Sequence, residues 1–163
     1  MEVRSVEAIV NALNGAGARY IIVGGIAVNA HGFVRMTRDV DIVLELKRDN
    51  ILKGLNALFQ IGYQMAIPVS VDEFLDPETR ERWRDEKNML VLKLWSDLHG
   101  RTPVDIFIHE PFDFIDELGR TSKMELSPGT VATIVSLDGL LAMKRKASRP
   151  QDLIDIEELL RIP

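Results

Sequence analysis

Cysteine is absent from this chain of 163 residues. That excludes disulfides, a thiolate zinc site and a cysteine nucleophile together. Histidine is scarce, and the three present, His31, His99 and His109, lie too far apart to form a close-spaced metal-ligand motif. No apolar run is long enough to span a bilayer, so no membrane partner is expected. The N-terminal "MEVRSVEAIVNAL" is amphipathic and carries acids, unlike a signal peptide, and the expected location is the cytoplasm. Positive charge is not in excess. A net charge of −5 disfavours broad, sequence-blind coating of nucleic acid, while leaving room for a local basic groove. Repeats, low-complexity tracts and linkers are also missing.

What remains is an ordinary globular composition, 46% hydrophobic and 28% charged. The length suits one domain with a real core. The expected organisation is a single α/β (α+β) unit over 1–163, with its core at about 18–110 and a C-terminal helical segment at about 136–162.

Periodicity outlines the elements. Val6, Ile9, Val10 and Leu13 recur at helical spacing, and "NGAGA" then stops the helix. "RYIIVGG" reads as a buried strand closed by glycine, "IAVNAHG" as a short helix, "FVRMTR" as a loop and "DVDIVLEL" as a strand. In that last strand Val40, Ile42, Leu44 and Leu46 alternate with Asp39 and Asp41. A helix follows over "DNILKGLNALFQIGY", with Asp49 or Asn50 as the expected N-cap. "QMAIPV", "MLVLKLW", "PVDIFIH", "RTSKMEL" and "TVATIV" read as further strands, and "PFDFIDELG" as a helical turn or short helix. "SLDGLLAMKRKA", capped by Ser136, and "RPQDLIDIEELLRI" read as the closing helices. The charged stretch at 70–88 reads as a surface helix or excursion without an assignable role.

Chemistry concentrates in "YIIVGGIAVNAHGFVRMTRDVDIVLEL". Residues two apart on a strand share a face, roughly 6.5–7 Å apart, so Asp39 and Asp41 repel one another unless a cation lies between them. Mg²⁺ takes oxygen ligands and is typically held by one or two carboxylates plus substrate phosphates. Two such ions can clamp the attacking and leaving oxygens of a phosphoryl displacement. Gly24 and Gly25, between strand and helix, let backbone approach a phosphate closely. Asp105, at the start of another apolar strand, is the best third carboxylate. Each element alone has a plainer reading: a turn, a solvated strand end, a surface charge. Their order along the chain makes the joint pattern specific. Arg35, Arg38 and Lys144 are candidate phosphate contacts, weighed against surface salt bridges and a solvated basic run. His31 reads as a packing residue, and Arg149, Asp152 and Asp155 as a structural ion network.

The pattern of Gly-Gly and a short helix, then "RMTRDVDIVL", then a distant "PVDIFI", resembles the DNA-polymerase-β-type nucleotidyltransferases. Gly24, Gly25, Asp39, Asp41 and Asp105 match position by position. The variant "GGIA…RxTxDxD", with "LLAMKRKASRPQDLIDIEEL", further resembles a small bacterial branch that includes abortive-infection toxins. The resemblance implies a nucleotidyltransferase fold, with a mixed central sheet flanked by helices and C-terminal helices. It implies transfer of a nucleoside monophosphate from a nucleoside triphosphate to an acceptor hydroxyl, with release of pyrophosphate. Asp39, Asp41 and Asp105 would hold two Mg²⁺ ions, with Mn²⁺ as a substitute. The implied acceptors are tRNA, for a toxin paired with an antitoxin, or a small molecule or protein, for an antibiotic- or protein-modifying adenylyltransferase. A non-catalytic nucleotide-binding module is the alternative. One position departs from the common pattern: Gly25 stands where many members carry a serine whose hydroxyl assists phosphate binding.

Overall fold

The computed structural model describes residues 1–162. Fifteen elements follow in the order α1 (Val3–Gly15), β1 (Tyr20–Val23), α2 (Gly24–Ala30), β2 (Val40–Leu44), α3 (Arg48–Gln60), β3 (Gln64–Met65), α4 (Val71–Leu75), α5 (Pro77–Lys87), β4 (Val91–Trp95), β5 (Val104–Phe107), α6 (Phe114–Leu118), β6 (Ser122–Ser127), β7 (Thr130–Ile134), α7 (Leu137–Ala147) and α8 (Pro150–Arg161). The strands form one seven-stranded sheet in the order β3-β4-β5-β2-β1-β7-β6. It is mixed. β1 runs parallel to β7 and β2 parallel to β5, while the other neighbours are antiparallel. This is the mixed sheet with flanking and C-terminal helices that the motif order implies.

Strand sequence explains which strands lie inside. Every residue of "YIIV" in β1 is buried, and in β2 only Asp41 is not fully so. β4 instead alternates: Leu92 and Leu94 are buried while Lys93 and Trp95 are exposed, the pattern of a strand with one open face. The buried set is one continuous, mostly aliphatic cluster drawn chiefly from α1, α3 and the central strands. Each fully buried leucine or isoleucine in it contributes about 1.5–3 kcal/mol.

Two local expectations change. The cap position of α3 is Lys47, with no side-chain capping bond. Asn50 turns inward instead: its Oδ1 accepts from the Arg19 amide at 2.7 Å, and its Nδ2 donates to the carbonyls of Arg19 at 2.9 Å and Glu45 at 3.0 Å. Three backbone groups between the entry to β1 and the exit from β2 are satisfied by one amide, which outweighs a single cap bond. The 70–88 stretch is two capped helices and is anchored. A Ser70–Glu73 capping box opens α4, Asp76 caps α5, and Phe74 and Trp83 are buried in the core. Arg80 lies inside as well, its guanidinium donating to the Phe74 carbonyl. No described helix is long and apolar enough to cross a membrane.

Candidate active site

Strand pairing assembles the acids. β1 and β2 place Val23 opposite Asp41, and β2 and β5 place Asp41 opposite Asp105. Neighbouring strands lie about 4.8 Å apart, so two carboxylates from distant parts of the sequence become direct neighbours. Asp39 stands one residue before Val40, the first residue of β2.

Gly24 follows Val23 at φ +64°, in the left-handed region, where a Cβ would lie 1.9 Å from Asp41 Oδ2. Only glycine meets both demands, the turn and the close approach. A Cβ on Gly25 would lie 2.3 Å from Thr37 Oγ1. The serine common at this position in the resembled family therefore has no room here, because the Thr37 side chain fills the space. The Thr37 hydroxyl is loosely held, its one bond a long 3.4 Å donation to the Asp39 carbonyl. It is the hydroxyl at the Gly-Gly turn that sequence reading assigned to no residue.

Electrostatics separate the acids. Burial, then the charges of Asp39 and Asp105, push the Asp41 carboxyl up to about 7, against weaker opposition from Arg149 and Lys93. Asp105 is also raised, by burial, but Lys93 pulls it back: Lys93 Nζ donates to Asp105 Oδ1 at 2.6 Å. This contact comes from register, since β4 and β5 place Lys93 opposite Asp105. No run of sequence near either residue announces it.

The other predicted phosphate contacts are distributed differently. Arg35 donates to both oxygens of Asp155, Nε to Oδ1 and the second guanidinium nitrogen to Oδ2, each at 2.7 Å. Lys144 is buried, its Nζ 2.6 Å from Asp155 Oδ2 and 3.1 Å from Asp152 Oδ1. Gln151 adds a bond to Asp155 at 2.9 Å, and Arg149 pairs with Asp152 at 2.8 Å. Burial pushes Asp155 upward, but bonds from Arg35, Lys144 and Gln151 outweigh it and hold the carboxyl at about 2. Lys144 and Arg35 thus tie α7 and the 33–39 loop to α8. Arg38 is exposed. His31 sits at the end of α2, with Nε2 2.8 Å from the Val135 carbonyl.

The donor set suits a hard divalent cation: three carboxylates, of which the half-buried Asp41 has no cation in direct contact. As the side chains stand, no group of three or more acids or histidines among the described residues is drawn close enough to enclose an ion.

No protein-family model matches this sequence, and no curated protein matches it. Solved structures do. The lincosamide antibiotic adenylyltransferase LnuA, in its lincomycin-bound form, superposes with a TM-score of 0.64 at 16% identity, over 98% of this chain and 97% of that one. ANT(2")-Ia in complex with adenylyl-2"-tobramycin gives 0.60 at 12% identity, over 96% and 86%. An antigenic nucleotidyltransferase-like protein from Paracoccidioides brasiliensis gives 0.58 at 18% identity, over 99% and 78%. Identities this low establish architecture alone, and on that ground the chain has the nucleotidyltransferase fold.

Proposed function

We propose that this protein transfers a nucleoside monophosphate from a nucleoside triphosphate to an acceptor hydroxyl. The observation that carries the reading is Asp41: a half-buried carboxylate opposite Asp105, pressed against Gly24, with acids as its strongest charged neighbours. A ligand that brings a cation to this carboxylate relieves its repulsion from Asp39 and Asp105.

The chain's own groups divide the work. Gly24 and Gly25 bring bare backbone to the triphosphate, and the Thr37 hydroxyl donates there in place of a serine. Arg38, exposed beside Asp39, supplies positive charge at the edge of the site. Arg35 and Lys144 act indirectly, by holding the 33–39 loop to α8. Asp105 accepts the proton of the attacking hydroxyl. The acceptor oxygen then bonds to the α-phosphorus, the bond from that phosphorus to the bridging oxygen breaks, and pyrophosphate leaves. Asp39, Asp41 and Asp105 would hold Mg²⁺, with Mn²⁺ as a substitute, and the bound metal supplies the positive charge that carboxylates and phosphates together lack.

The acceptor is a separate question. LnuA and ANT(2")-Ia modify antibiotics, and this chain overlaps nearly the whole of LnuA, which favours a small-molecule acceptor. A tRNA acceptor, a protein acceptor and a partner antitoxin rest on the sequence resemblance alone.

The test is label transfer. Protein, Mg²⁺, each α-labelled nucleoside triphosphate in turn and fractionated cell extract are combined, with Asp41→Asn protein in parallel. Label should enter one acceptor fraction and disappear with Asp41→Asn. Tight nucleotide binding with no transfer in Mg²⁺ or Mn²⁺ would instead identify a nucleotide-binding module.

A further inference from the structure

The sheet order reads as an order of chemical parts. From β1 outward lie the glycine turn after Val23, then Asp41 on β2, then Asp105 on β5, then Lys93 on β4. The phosphates belong at the β1 side, with the glycines. A hydroxyl that gives its proton to Asp105 must come within about 2.6–3.2 Å of it. On the side of Asp105 away from the glycines lies β4.

The open face of β4 is not neutral ground. Lys93 has a side chain 48% exposed and binds Asp105 through its ammonium. That ammonium has three donors, so one can stay on Asp105 while the others meet a ligand. Trp95, two residues on and therefore on the same face, is 39% exposed, whereas Trp83, the other tryptophan of the chain, is 4% exposed in the core. Trp95 lies opposite Gln64 and one residue beyond Leu94, which pairs with Val104, so it stands at the rim of the sheet next to the start of β5. A large aromatic surface and a cation thus share the strand next to the proton acceptor, on the side away from the glycines.

We propose that β4 is the acceptor subsite and that it takes an acceptor bearing both a planar ring and an anionic group, a nucleotide or the terminus of a polynucleotide. Trp95 stacks on the ring and Lys93 binds the anion while orienting Asp105. The same lysine repels a polycationic acceptor, so this face is unsuited to an aminoglycoside such as the tobramycin seen with ANT(2")-Ia. The proposal rests on the nucleotidyl-transfer reading, because it needs Asp105 to face an incoming hydroxyl.

Tryptophan fluorescence tests it, since Trp83 is buried and quenching by a ligand reports Trp95. With the donor site filled by a non-hydrolysable nucleoside triphosphate analogue, the protein is titrated with adenosine monophosphate, a single-stranded RNA of about ten nucleotides, and spermidine. One or both ring-and-phosphate probes should quench. Trp95→Leu should abolish the quench, and Lys93→Met should weaken binding about tenfold. Quenching by the RNA alone identifies a polynucleotide end, and by the monophosphate alone a small nucleotide. Either no quench, or a quench by spermidine as strong as by the anionic probes, overturns the proposal. A separate melt distinguishes the two levels. Nucleoside triphosphate with Mg²⁺ should raise Tm in wild type and Trp95→Leu alike, and loss of that shift in both is a failure of nucleotidyl transfer itself.

Discussion

Two groups of acids meet the same loop, residues 33–39, and are treated in opposite ways. Asp152 and Asp155 on α8 are buried and neutralised from within by Lys144, Arg35 and Arg149. Asp39, Asp41 and Asp105 are gathered by strand pairing, and only Asp105 receives a direct cation, Lys93. Their carboxyls show the contrast: Asp155 is held at about 2 and Asp41 is pushed up to about 7. Burying a charge is costly unless it is paired. The first group follows that rule as structure; the second breaks it at the place where a ligand can restore it.

The sharpest way to break the comparison is to neutralise the unpaired member. Asp41→Asn removes the charge that Asp39 and Asp105 repel, and should raise Tm by about 3 °C in metal-free buffer. The same change should lower label transfer about 10³-fold or more. Mg²⁺ should raise Tm in wild type and leave Asp41→Asn unmoved, a calorimetric result independent of any acceptor. A loss of stability in Asp41→Asn would mean that Asp41 is a structural acid like Asp155.

The opposite result is expected in the paired group. Lys144→Met leaves Asp152 and Asp155 buried without their shared ammonium and should cost about 3–5 kcal/mol. For a chain of this size that lowers Tm by about 10 °C or more. Combining it with Asp152→Asn should recover part of the loss. If Lys144→Met melts normally and raises only the KM for the nucleotide, then Lys144 is a phosphate contact and not a brace.

A smaller effect follows from acid. Asp155 titrates near 2 in the folded protein and near 3.9 when unfolded. The unfolded chain therefore binds more protons in that window. The stabilisation, on the order of 2–3 kcal/mol, is complete at about pH 5 and above and is lost progressively as pH falls through 4 and 2. Urea midpoints measured across that range should drop more steeply in wild type than in Asp155→Asn. Parallel curves would remove Asp155 from the account of stability.

Much of this architecture was legible because it is local. Period-two and period-3.6 patterns located the strands and helices, and the spacing of Gly24, Gly25, Asp39, Asp41 and Asp105 matched one fold. What was not legible depends on register and packing. Lys93 faces Asp105 only because β4 pairs with β5 one way and not one residue over, which nothing in "VLKLW" specifies. Lys144 reads as part of a solvated "KRK" until α7 and α8 pack and enclose it. In the 70–88 stretch, Pro77 splits one charged run into two helices, so the anchors Phe74 and Trp83 fall on different elements and show no shared period. Asn50 looks like a cap by type and acts as a tertiary bridge.

Thr37 gives the smallest effect and the finest discrimination. Its hydroxyl stands against Gly25, with one weak bond to the Asp39 carbonyl. Thr37→Val keeps the branched shape that fills the space at Gly25 and removes only the donor. Little structure depends on a 3.4 Å bond, so Tm should move by less than about 2 °C. If the hydroxyl donates to a phosphate, kcat/KM for the nucleotide should fall about tenfold, the scale of one hydrogen bond to a charged group. The paired change Gly25→Ser with Thr37→Gly moves the hydroxyl across the gap, since the Thr37 Cβ itself lies 2.6 Å from where a serine Cβ would stand and has to go with the hydroxyl. Recovery of activity in that double variant would show that the turn needs a hydroxyl from either element. An unchanged kcat/KM in Thr37→Val would leave the backbone of Gly24 and Gly25 as the whole of the phosphate cradle.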